Sequence, residues 1–162
     1  MGYSDGAFTP ATGSITAKPK DIIHSAVWND TYGTFSTALT NIGQGVTLEM
    51  IVFNGPQSVT AGIKGFIEIP FNLSVLSWKI MAEQAGSVSL DLWNCPFNSF
   101  PPIAANSIVG GNYPTLSSAQ SSSSSTLTGW SPNLSAGSIL ALVINDSSVI
   151  HQITVSLTCG RN

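Results

Sequence analysis

Eight carboxylates and two histidines are the side chains of this 162-residue sequence that can carry acid–base or metal chemistry. Asp21, Asp30, Glu49, Glu68, Glu83, Asp91 and Asp146 fall mostly on separate predicted elements, and Asp5 lies in the N-terminal arm. A glycosidase needs two carboxylates facing one sugar, about 5–9.5 Å apart. Glu68 and Asp91 are the pair closest to that description, because both sit on predicted strands and point away from the apolar faces. Nothing in their spacing brings them together, and two solvated strand carboxylates is the simpler reading. His151 shares the parity of Val149 and Ile153, so it reads as a partly buried histidine or an interface residue. His24 is its one histidine companion, and no H-x-H or H-E-x-x-H spacing is present. A nucleophile elbow, G-x-S-x-G, is also absent from the sequence. These patterns predict a non-enzymatic protein with neither metal nor cofactor.

Aromatic residues offer the other chemistry. Trp28, Trp78, Trp93 and Trp130 are many for this length. Trp78 has the inward parity of its strand. Trp93 has the parity opposite to Leu90 and Leu92, so it reads as a sheet-edge, interface or sugar-stacking residue. Trp93, Tyr113 and Trp130 are therefore the candidate ligand or interface residues, since aromatic faces stack on pyranose rings. The competing reading is packing between strands or subunits.

The elements that must position these residues are strands. In the stretch Gly65–Asn98, apolar residues recur at every second position, as in Leu76, Trp78 and Ile80 and again in Val88, Leu90 and Leu92. A period of two marks half-buried strands. The predicted strands run from Val46 to Phe53, Gly65 to Pro70, Leu73 to Met81, Ser87 to Asn94, Leu127 to Trp130, Ser138 to Asn145 and Val149 to Thr158, and Ile103 to Val109 reads as one helical turn or a short strand. Asn54-Gly55-Pro56, Glu83 to Gly86, Ser135 to Gly137 and Asp146 to Ser148 read as the turns between them. The serine run Ser121–Ser125 reads as an exposed, mobile linker. About eight strands over residues 45–158 predict an all-β protein, an antiparallel jelly-roll-like β-sandwich of two stacked sheets with Greek-key crossings. Its core is expected to hold Leu76, Trp78, Ile80, Leu90, Leu92, Leu140, Leu142, Val155 and Leu157.

Composition narrows the partners. Hydrophobic residues make up 43% and charged residues 8% of the chain, whose net charge is −3. Disordered chains are usually polar and highly charged, so general disorder is not expected. A surface of Ser, Thr, Asn, Gln and Gly suits a protein covered by other chains. The five basic residues, Lys18, Lys20, Lys64, Lys79 and Arg161, are scattered, whereas nucleic-acid binding needs a basic patch. No nucleic-acid partner is therefore expected. No apolar run reaches the length of a membrane span, so no membrane insertion is expected either. The first twenty residues lack an apolar segment and a basic leader, so release within an assembled particle, by cell lysis, is the expected way out of a cell. Cys95 and Cys159 share no metal-ligand spacing and are expected to be free thiols; a disulfide requires the last strand to end beside the strand of Leu92.

Residues 1–44 read as an extended N-terminal arm or assembly segment, and residues 45–162 as the sandwich domain. Residues 1–20 are rich in Gly, Ser, Thr and Pro. Phe8, Ile15, Ile22 and Ile23 are the apolar anchors expected to bind neighbouring chains.

Six segments resemble a domain that recurs in tail-fibre, tail-spike and other virion proteins of tailed bacteriophages. They are TAGIKGFIEIPF from Thr60, LSWKIMAEQAGSVSLDLW from Leu76, FPPIAANSI from Phe100, PTLSSA from Pro114, LTGW from Leu127 and AGSIL from Ala136. The resemblance spans about residues 45–159. It implies a jelly-roll-like sandwich in a phage particle, homotrimeric, in contact with other virion proteins and assembled in the host cytoplasm. Two functions then compete: a capsid decoration or cement protein or tail appendage component, and a tail-fibre module that binds a host-surface glycan. The shortness of the chain leans toward capsid decoration.

Overall fold

A computed structural model describes residues 45–162. The proposed anchors Phe8, Ile15, Ile22 and Ile23, and the whole 1–44 arm, lie outside the described residues. The described chain is all-β and antiparallel, as expected. Its seven strands are β1 (Gly45–Phe53), β2 (Gly62–Glu68), β3 (Leu73–Pro96), β4 (Thr115–Ser124), β5 (Asn133–Leu134), β6 (Ser138–Ser148) and β7 (Gln152–Arg161). Two single 3-10 turns, Phe97–Ser99 and Ala104–Asn106, interrupt the connection from β3 to β4.

The spine is β3, one strand of 24 residues. Its first part, Leu73 to Ala82, pairs with β7, and its second part, Ser87 to Pro96, pairs with β6. β1 lies on the far side of β7 and β2 on the far side of β6. The path β1-β7-β3-β6-β2 is therefore two half-sheets sharing one strand. β4 and β5 run along the other edge of β3. Hydrogen bonding thus passes without interruption through a curled sheet, which is consistent with a jelly-roll-like sandwich.

The expected hairpin at Glu83–Gly86 is absent, because β3 runs straight through it. The break falls instead in the facing chain: β6 and β7 follow one another along β3, both antiparallel to it, and the ladder is interrupted between them at Val149–His151. There Val149 adopts φ 52°, and Ile150 N–H reaches back to Ser148 O at 2.6 Å. Asp146–Ser148, expected to turn, stays in β6, and the chain only bends at Val149–His151 before continuing along β3 as β7. The serine run is likewise not a mobile linker. Ser121 to Ser124 pair with Met81 to Trp78, so β3 supplies the order that the low-complexity sequence does not. Leu127–Trp130 is a turn rather than a strand, with Gly129 at φ 78°.

The period-two reading holds along β1, β6 and β7. Met50, Ile153, Val155 and Leu157 face the core, as do Leu140, Leu142 and Ile144. Trp78, Ile80, Leu90 and Leu92 join them. Leu76 does not: it is 53% exposed. The ladder shifts register between Val75 and Ser77, and this bulge turns Leu76 outward while Val75 and Trp78 both face in. From Ser138 to Ile144 every residue of β6 is buried, so both faces of that strand are covered. β3 and β2 take the two edges of β6, and Leu140, Leu142 and Ile144 turn one of its faces to the core.

Candidate functional site

The outer face of the second half-sheet carries the most organised polar cluster among the described residues. Asp91, on β3, is 5% exposed. One carboxylate oxygen, Oδ1, accepts from the Leu92 N–H at 2.7 Å and from Ser107 Oγ at 2.7 Å. Its other oxygen accepts from Trp93 Nε1 at 2.7 Å. Strand parity places Asp91 and Trp93 on one face two positions apart, which lets the indole N–H reach back to the carboxylate. Ser107 lies in the β3–β4 connection and forms a bridge to Trp93. Asp91 is therefore not the solvated carboxylate expected from the sequence. A buried charge is tolerated when donors surround it, and three do so here. The cluster fastens the connection onto the sheet.

The proposed carboxylate pair does not form. Glu68 sits opposite Ile139, and Asp91 opposite Val143. Strand spacings of ~3.4 Å along and ~4.8 Å across put the two about 16 Å apart, outside the glycosidase range. Glu68 is exposed and Asp91 is fully engaged.

A second polar cluster sits at the fork of the half-sheets. Glu83 accepts from the His151 N–H at 2.6 Å and the Gln152 N–H at 2.9 Å. Its Oε1 lies 3.7 Å from His151 Nδ1. Gln84 Nε2 donates to Val149 O, and Gln120 Nε2 to Glu83 O. Partial burial works against ionisation of Glu83, but the two backbone N–H groups and the His151 ring outweigh it and hold its carboxyl below the ordinary value. His151 is half-buried beside Glu83, not on the core face with Val149 and Ile153. Ile150 takes the inward place, and Val149 is 54% exposed.

The three candidate aromatic residues have different fates. Trp130 is buried, and its Nε1 donates to Asn112 O at 3.0 Å, so its ring packs in the core and offers no face to a sugar. Trp93 is half-buried with its N–H held by Asp91. Tyr113 is exposed. None of the three lines the depressions at Ile51–Lys64, at Ser77–Thr126, at Ser87–Ser148 or at Asn94–Ser138, whose volumes run from about 150 to about 380 Å³.

Exposed apolar residues form the more prominent surface. Phe66 and Phe100 meet edge to face at 4.9 Å between ring centroids. Phe97 and Ile103, in the same connection as Phe100, are 71% and 60% exposed. On β1, Ile51 and Phe53 are 66% and 68% exposed. Sequence parity sets Ile51 and Phe53 opposite Met50 and Val52, but the strand is apolar on both faces, so the sequence reading did not single them out. The Asp91–Trp93–Ser107 cluster was missed because Ser107 lies on no periodic element.

Cys95 and Cys159 are both buried free thiols. Burial pushes the Cys159 thiol up to about 11. Among the described residues, no three of His, Cys, Asp and Glu converge on a point that could hold a metal ion. Among the same residues, no helix is long and apolar enough to cross a membrane. No protein-family model and no curated protein matches the chain.

Proposed function

We propose that this chain is a non-enzymatic structural protein of a bacteriophage particle, a capsid decoration or cement protein or a tail appendage component, held there by contacts with other virion proteins. The observation that carries the reading is the set of large apolar side chains left outside the curled sheet. Phe97, Phe53, Ile51 and Ile103 are each at least 60% exposed on a surface with few charges. They fall in two places, Ile51 and Phe53 on β1 and Phe97 and Ile103 in the β3–β4 connection, and large exposed apolar side chains grouped in this way suit contact with other proteins. The resemblance of the six sequence segments supplies the phage context, and with it assembly in the host cytoplasm and a threefold arrangement.

Specific labelling of the protein in purified particles, followed by imaging, tests the proposal. Discrete density on the capsid or tail is the expected result. Absence of the protein from every particle would overturn it.

The glycan-binding alternative is weaker than the sequence suggested. It loses Trp130 to the core and keeps exposed Tyr113 and half-buried Trp93. Binding of the chain on a glycan array, abolished by Tyr113→Ala or Trp93→Ala, would favour it over the first reading.

A further inference from the structure

The outward face of the first half-sheet is ordered in rows. Register across β1, β7 and β3 gives Thr47–Thr158–Ser77, then Glu49–Ser156–Lys79, then Ile51–Thr154–Met81. The inward rows, such as Met50–Val155–Ile80, belong to the core, so these three rows point away from it. Ile51 and Met81 are 66% and 43% exposed, and Glu49 and Lys79 are exposed as well. Among the described residues Glu49 and Lys79 form no ion pair with each other; they stand on either side of small, buried Ser156. Two strand spacings, about 10 Å, separate them.

We propose that this face binds the same face of a second copy of the chain, related by a twofold axis running along β7. Rotation about that axis exchanges the β1 side for the β3 side while keeping each row at its own level. Glu49 of one copy then faces Lys79 of the second copy, twice over. In the next row Ile51 faces Met81 of the second copy, so apolar meets apolar. Thr47 faces Ser77, and Thr154, Ser156 and Thr158 meet their own counterparts on the axis. One operation satisfies the charged row, the apolar row and the hydroxyl row together, which is the self-complementarity an isologous interface requires. Packed sheets keep their strands within about 30° of each other, so the native twist permits this alignment. The face measures about 30 Å along the strands and about 15 Å across. That is below the ~800 Å² per partner of standard complexes, so the pairing is weak and concentration-dependent. It does not depend on the virion reading, and for the free chain in solution it sets a twofold pairing against the threefold arrangement drawn from the resemblance.

Charge reversal provides the test. The full chain is followed by sedimentation equilibrium from about 1 µM to about 1 mM, a range matched to weak association. The wild type is expected to pass from monomer to dimer. Glu49→Lys alone places Lys against Lys79, and Lys79→Glu alone places Glu against Glu49. Each is expected to weaken association by at least about tenfold, because like charges brought together cost well over the 1.4 kcal/mol that a factor of ten represents. An equimolar mixture of the two single variants pairs every Lys with a Glu, and is expected to regain the wild-type dimer. A misfolded variant could not produce that regain. A wild type that stays monomeric throughout, a trimer, single variants that associate like wild type, or a mixture that does not recover would each overturn the twofold pairing. None of those outcomes bears on whether the protein is found in particles.

Discussion

The side-chain atom that Gly86 lacks would lie 2.5 Å from Ile150 Cγ1 and 2.8 Å from the carbonyl oxygen of Ser148. Gly86 is the point where β3 passes from one half-sheet to the other, and Ile150 sits in the bend between β6 and β7, which follow one another along β3. The spine can cross the fork only because nothing projects from it there, which leaves room for a fully buried isoleucine. Gly86→Ala is expected to destabilise the fold by about 1–3 kcal/mol through overpacking. Urea melts of Gly86→Ala, Ile150→Ala and the double variant check this. Ile150→Ala removes Cγ1, so Gly86→Ala should cost less in that background than in the wild type, and the Ser148 carbonyl should keep the cost above zero.

Leu142 and Leu76 test the face assignments. Leu142 is fully buried between the half-sheets, and Leu142→Ala is expected to cost about 2–5 kcal/mol. Leu76 is turned outward by its bulge, so Leu76→Ala should change stability by about 0.5 kcal/mol or less. Equal losses in chemical denaturation would show that Leu76 belongs to the core after all.

Asp91 is expected to govern the β3–β4 connection. Asp91→Ala leaves the Leu92 N–H, Trp93 Nε1 and Ser107 Oγ without their acceptor. Buried donors left unpaired cost about 1–3 kcal/mol each, so a loss of several kcal/mol is expected. Ser107→Ala removes one donor and should cost about 1 kcal/mol. Faster amide exchange at Ser107 and Ile108 in Asp91→Ala, with the β7 amides unchanged, is the accompanying signature.

Glu83 sets an acid limit. Its folded carboxyl titrates below its ordinary value of 4.5, so its contribution is fully present above pH 4.5 and is lost as pH falls through the lower, folded value. Stability of the wild type relative to Glu83→Gln should therefore shrink steadily below pH 4.5 and level off above it. Thermal melts of both proteins across that range measure it. A difference that grows on acidification would contradict the lowered value.

Much of the strand structure was legible because β7 alternates strictly, so Val155 and Leu157 needed no more than that to be placed, while β6 reads as a strand from its continuous apolar run Ile139 to Ile144. Leu76 was misplaced because a bulge adds one residue without any mark in the sequence. Glu83–Gly86 looks like a hairpin, since Gly and polar residues usually turn; here Gly86 serves close packing instead. Ser121–Ser124 carries no apolar pattern at all, and its strand exists by pairing with β3. The polar clusters were the least legible. Asp91 and Trp93 share a strand face, but Ser107 reaches them from an irregular segment. Glu83 meets His151 through backbone N–H groups, whose positions depend on the fork and not on side-chain type.

The sharing of β3 between two half-sheets also bears on how the domain is made. Val46 pairs with Cys159 and Gly62 with Ile144, whereas β3 draws its first neighbours from β4. During synthesis β1 and β2 emerge before β7 and β6, their ladder partners among the described residues. Until then Ile51, Phe53 and Phe66 sit on solitary extended segments, where exposed apolar strands invite the wrong partners. Closing such distant ladders is slow, on the order of milliseconds to seconds for β-rich domains. The curled sheet therefore completes in a single late event, when β6 and β7 slide between the segments that have been waiting for them.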